Sequence, residues 1–218
     1  STTAAIIVEA IQGEGGIRPL SPEMAAAMER ARQRNGALLI ADEVQCGLGR
    51  TGTAFGYQRL GIQPDLAAIG KALGAGVPVG AALVSQMVAS AVSFGDHGTT
   101  YGGNLLACRA ALVFLEALTS GGLQEHVREV GGRFGEGLRE LAARHPVVRE
   151  VRGAGLMWGL DLAVDATPYV EAALQRGLLV NRTADTVVRM LPPFVISRAE
   201  LDEALTALDG VFTDVARS

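Results

Sequence analysis

Residues 37–43 read Ala37-Leu38-Leu39-Ile40-Ala41-Asp42-Glu43, and residues 66–71 read Leu66-Ala67-Ala68-Ile69-Gly70-Lys71. Each is a short apolar run that ends abruptly on charge. Runs of this length without alternation suit strands buried on both faces of a parallel sheet. Before the first, the signals are helical. Ser21-Pro22-Glu23 caps a helix, seats proline in its first turn and sets an acid against the dipole. Asn35-Gly36 supplies a left-handed stop. Ala4 to Glu9 (AAIIVE) is an earlier strand, expected to be covered on both faces, and Ala81 to Ser85 a later one. Strands alternating with helices predict an α/β fold with a mainly parallel sheet, whose ligands bind at the strands' C-terminal ends. Asp42 and Lys71 emerge at such ends and are therefore taken together.

Lys71 is the only lysine of the chain, beside 18 arginines. An average soluble chain counts lysine among its commonest residues. Compositional bias accounts for the arginines. The surviving amine occupies a position where arginine could not serve if a Schiff base is formed there.

The remaining sequence outlines a second, smaller α/β unit. Helices are expected from Asn104 to Thr119 and, after Gly121-Gly122, to about His145. Apolar runs follow at Val147 to Val151 and Leu156 to Leu162, with Gly153 and Gly155 between them. Thr167-Pro168 opens a helix that Gly177 stops, and short strands are expected at Leu178 to Asn181 and Val187 to Leu191. Ser197-Arg198-Ala199-Glu200 is a capping box for the last helix. The expected domains are residues 1–106 and 107–218.

Bulk properties narrow the function. The net charge is −4 among 218 residues, which disfavours a nucleic-acid partner. No apolar run approaches the ~20 residues of a membrane span, and the opening Ser1-Thr2-Thr3-Ala4-Ala5 lacks a signal peptide's charged region. Cys46 and Cys108 are too few for a disulfide framework, so a cytosolic location is expected. His97, His126 and His145 never approach zinc-ligand spacing, and no metal is expected. Gly47-Leu48-Gly49-Arg50-Thr51-Gly52 matches the dinucleotide pattern GxGxxG. Polar residues separate it from the strand, and Gly56, Gly61 and Pro64 spoil the helix that should follow. The run ending in Asp42-Glu43 imitates an ATPase magnesium element, but the phosphate loop that must accompany it is missing.

Read jointly, LLIADEVQCGLGRTG, PDLAAIGKALGAGVPVGA and HGTTYGGN, with QGEGG at Gln12 to Gly16 and VVRMLPP at Val187 to Pro193, closely resemble the class III aminotransferases. These are fold type I enzymes that use pyridoxal 5′-phosphate. The resemblance implies part of that family's large domain plus its small C-terminal α/β domain. It implies that Lys71 bonds the cofactor and moves the substrate proton, and that Asp42 pairs with the pyridine nitrogen. Val44 would pack on the ring, and Gln45 would meet its phenolic oxygen. Thr99 and Thr100 would serve the cofactor phosphate across a homodimer interface. Arg189 would grip a substrate carboxylate, with Glu14 able to pair with it.

Within the family, QGEGG and HGTTYGGN look most like enzymes acting on N-acetylornithine and 2-oxoglutarate; ornithine or 4-aminobutyrate as donor is the alternative, as is a non-catalytic piece retaining the site. The resemblance covers only the family's C-terminal half, so a missing N-terminal half is an expected partner and the chain alone is expected to be inactive. Departures are Glu9-Ala10 for the family's Glu-Pro, Asn104-Leu105 for Asn-Pro, and Cys46 for threonine.

Overall fold

The computed structural model describes residues 2–217. In chain order the strands are β1 (Ala5–Val8), β2 (Ile11–Gln12), β3 (Arg18–Pro19), β4 (Leu38–Asp42), β5 (Leu66–Ile69), β6 (Ala81–Val84), β7 (Val148–Ala154), β8 (Met157–Leu162), β9 (Asn181–Thr183) and β10 (Val187–Met190). The helices are α1 (Pro22–Asn35), α2 (Gln86–Ala89), α3 (Leu105–Thr119), α4 (Leu123–Arg144), α5 (Thr167–Gln175) and α6 (Arg198–Val215). No single helix among the described residues is long and apolar enough to cross a membrane.

Contacts divide the chain into two compact units. The first holds the stretch ending at Ala10, Leu20–Gly49 and Thr53–Gly122; the second holds Ile11–Pro19, Arg50–Gly52 and everything from Leu123 on. This division differs from the expected boundary at 106/107. Helix α3 belongs with the first unit because it packs on the turn that follows β5, and the β2–β3 hairpin belongs with the second because β3 packs on β7.

In the first unit the sheet order is β1-β4-β5-β6, with β1, β4 and β5 parallel and β6 antiparallel to β5. Ser21 caps α1 by accepting the Met24 N–H at 3.2 Å, and Gly36 at φ 66° ends it, as the sequence predicts. Asp65 fastens the crossover. Its carboxylate accepts both Arg32 Nη1 at 2.6 Å and the Leu39 backbone N–H at 2.8 Å. The expectation that AAIIVE is buried on both faces is corrected: Ile7 is 65% exposed. As an edge strand, β1 pairs with β4 alone, and the face carrying Ile7 is uncovered.

In the second unit an antiparallel sheet of order β7-β8-β10-β9 packs against α4, α5 and α6. Its core centres on Leu138, Leu141, Leu160, Leu162, Leu208 and Phe212. The last helix carries the capping box expected of Ser197 and Glu200. The strand expected over Leu178 to Asn181 forms later, over Asn181–Thr183. Leu178 instead donates its N–H to the Ala173 carbonyl at 2.9 Å, and Gly177 at φ 75° completes a helix cap, which spends those residues on ending α5. Arg50 is half-buried here, donating to the carbonyls of Leu156 at 3.2 Å and Pro192 at 2.6 Å with its guanidinium over the Phe194 ring. Burial pushes its guanidinium down to about 10.

Candidate active site

Asp42 closes β4 and pairs in register with Ala68 of β5; the next N–H, from Glu43, reaches the Ala68 carbonyl at 2.9 Å. The two parallel strands thus release Asp42 and Gly70-Lys71 at one sheet edge, the C-terminal edge where the sequence placed them. Asp42 Oδ1 accepts the Val44 N–H at 3.1 Å, which turns the chain sharply after the strand. Val44 lies against Gly70, with a methyl carbon 3.7 Å from where a β-carbon would stand. Gln45 follows, half-buried.

Lys71 itself opens a short 3-10 turn, Lys71–Gly74, at φ 40°. A side chain in this left-handed region costs ~1–2 kcal/mol. The strain falls on the lysine, not on the glycines after it, although Gly76 at φ 108° also needs its freedom. The amine side chain is exposed. Thr99 and Thr100 are exposed too. Thr99 lines a groove of about 580 Å³ together with Val77 to Gly80, the segment following the lysine turn, and Thr100 does not.

Sequence reasoning missed the group that organises this edge. Glu43 is 1% exposed and its carboxylate accepts the N–H of Gly56 at 2.6 Å and of Tyr57 at 2.8 Å. Burial raises its pKa, outweighing the two backbone donors. Gly47 is glycine for the same reason. A β-carbon there would lie 2.6 Å from the Glu43 carbonyl oxygen and 2.7 Å from Oε2. The GxGxxG pattern therefore begins with a close approach to a carboxylate, not to a phosphate. The available signal was an acid directly after a strand-end aspartate with a glycine four residues on.

The second unit brings together Glu14 and Arg189. Arg189, on β10, is almost buried, and its Nη1 meets Glu14 Oε1 at 2.5 Å. Its Nε donates to Asn181 Oδ1 at 3.1 Å. The loop bearing Glu14 is held from below by Thr183, whose hydroxyl donates to the Glu14 carbonyl at 2.5 Å, and by Arg152, whose Nε donates to the Gly16 carbonyl at 2.9 Å. Arg152 is itself paired with Glu150 and Asp161. Asn181, Thr183 and Arg152 were not singled out from sequence.

A primary amine, a carboxylate on the neighbouring strand, an aliphatic side chain and an amide at one sheet edge form a donor set for a planar aldehyde-bearing heterocycle. An amine to bond the group, a carboxylate for a ring nitrogen, an aliphatic chain for a ring face and an amide for a ring oxygen are the side-chain types that pyridoxal phosphate would need, so the residues fit it. This is the composition of an amine-group-transfer site.

The family described as Aminotransferase class-III matches residues 1–212, and the chain belongs to it. Acetylornithine aminotransferase of Methanocaldococcus jannaschii is 42% identical over 99% of this chain and 54% of its own length. The enzyme of the same name from Aquifex aeolicus is 45% identical over 94% of this chain and 53% of its own. Among solved structures, the ornithine aminotransferase of Toxoplasma gondii, with partial occupancy of PLP at its active site, superposes with a TM-score of 0.91. That match is 33% identical and covers 98% of this chain and 51% of the other. The chain spans about half the length of the curated relatives it matches.

Proposed function

We propose that the chain is the C-terminal half of the catalytic machinery of a pyridoxal-phosphate aminotransferase that moves an amino group between N-acetylornithine, or a related ω-amino donor, and 2-oxoglutarate. The observation that carries it is the release of Asp42 and Lys71 from adjacent parallel strands at one edge. Relatives named acetylornithine aminotransferase, at 42–45% identity, favour the acylated donor.

When bound, the cofactor supplies an electron sink for the carbanion left by deprotonation. Lys71 Nζ would bond the cofactor, yield to the donor's ω-amine and take the proton from the carbon that bears that amine. The Asp42 carboxylate holds a proton on the ring nitrogen. Val44 and Gln45 fix the ring's tilt, and the two threonine hydroxyls take phosphate oxygens. Arg189 would bind a substrate carboxylate in place of Glu14. We further propose a cytosolic homodimer completed by the upstream half. Apolar side chains left exposed in the first unit, among them Leu83, Met87, Tyr101, Leu105 and Leu106, support an interface there.

Titration of the purified chain with pyridoxal phosphate tests the reading, alone and with a polypeptide supplying the upstream half. Visible absorption that Lys71→Ala abolishes supports it. Uptake only when both halves are present supports the half-enzyme version. No uptake with both present overturns the proposal, and rapid turnover by the chain alone overturns its incompleteness.

A further inference from the structure

Arg189 has two partners that differ in kind. Asn181 stands directly across from it in the β10–β9 register and offers a neutral oxygen to Nε at 3.1 Å. Glu14 offers a charged oxygen to Nη1 from a loop, with its side chain 76% exposed. One partner is built into the sheet; the other can turn into solvent. Thr183 lies two residues beyond Asn181, on the same face of β9, and holds the backbone carbonyl of Glu14 rather than its side chain.

A guanidinium can grip a carboxylate side-on through Nε and one Nη, or end-on through both Nη nitrogens. With Nε committed to Asn181, only the end-on face is left. We propose that Asn181 is a positioning residue for the substrate carboxylate: it keeps the Arg189 guanidinium oriented end-on when Glu14 turns away, while Thr183 confines that turn to the Glu14 side chain. This rests on the reading of Arg189 as the carboxylate-binding residue. One carboxylate replaces another, so the charge beside Arg189 is unchanged. The neutral acceptor matters because a second acid there would compete with the incoming one. Without Asn181, departure of Glu14 would remove both side-chain anchors, and the arginine would have to be reordered at every binding event.

The test uses the whole chain labelled with 15N-arginine. The Arg189 Nε–H resonance is identified by its loss in Arg189→Lys, and its exchange with water is followed. Exchange is expected to be at least about tenfold faster in Asn181→Leu, which keeps shape without an acceptor. In Asn181→Asp and in Glu14→Ala it is expected to stay near that of the unaltered chain. Unchanged exchange in Asn181→Leu, or equally fast exchange in Glu14→Ala, overturns the proposal.

Glutarate, titrated as a dicarboxylate probe, is expected to bind about tenfold more weakly to Asn181→Leu and more tightly to Glu14→Ala. Undiminished affinity in Asn181→Leu also overturns the proposal. Glutarate binding that is absent, or untouched by Arg189→Lys, instead refutes the carboxylate role of Arg189, while the exchange rates still decide whether Asn181 orients it.

Discussion

The backbone N–H of Gly56 donates to Glu43 Oε2 across 2.6 Å, within a stretch of the first unit where the carboxylate itself is sealed from solvent. This bond and its companion from Tyr57 tie the loop that carries Val44 and Gln45 to residues a dozen positions further on. Glu43→Ala leaves two N–H groups without their acceptor and is expected to cost ~2–4 kcal/mol of stability. Urea unfolding measures it, and a loss below ~1 kcal/mol would show that the loop is held by other means.

The same group gives stability a pH dependence. Burial raises the Glu43 pKa in the folded chain, so the fold retains a proton that the unfolded chain has already released. Its contribution is full below the ordinary glutamate value and is lost as the pH climbs through the raised one. Asp209 acts in the opposite sense. The hydrogen bond from His145, aided by Arg144, lowers its pKa, so its stabilisation is present above the ordinary aspartate value and fades as the pH falls. Urea midpoints taken over this range are expected to decline on the rising side in the unaltered chain but not in Glu43→Gln. Parallel profiles for the two would contradict the assignment.

Lys71 holds a backbone conformation that suits glycine, at φ 40°. Lys71→Gly is therefore expected to be more stable than Lys71→Ala by ~1 kcal/mol, although both lose the reactive amine. Thermal or urea unfolding of the two variants without cofactor decides the matter. Equal stabilities would mean that the turn relaxes at no cost.

Gly131 lies in the interior of α4, where alanine normally favours a helix by ~1 kcal/mol. Here a β-carbon would collide with the backbone of Gly155 in the β7–β8 turn, which has no flexible side chain to move aside. Gly131→Ala is expected to destabilise by ~2 kcal/mol or more, reversing the propensity. Gly132, next to it and open to space, serves as the control: Gly132→Ala is expected to stabilise.

How much of this was legible beforehand depended on the range of the interaction. β4, β5 and α1 could be read because caps, stops and apolar runs are local signals, and Asp42 and Lys71 could be read because both end such runs. Glu14 and Arg189 were reachable only through the resemblance to a family, since 175 positions separate them. Glu43 was hidden because a buried acid and a solvated one look alike until their hydrogen bonds are known. Asn181 was hidden because the β9 register depends on how Gly177 ends α5. The exposure of Ile7 was hidden because an apolar run does not reveal how many neighbours its strand has.

The hairpin β2–β3 belongs to the second unit although the chain around it belongs to the first. During synthesis, then, the loop bearing Glu14 is made well before β9 and β10 and waits for them before it can be seated. The second unit cannot mature in the order in which it is made. Contacts of such long sequence separation slow folding, and a nascent chain halted before Asn181 would carry its carboxylate-binding apparatus permanently unassembled.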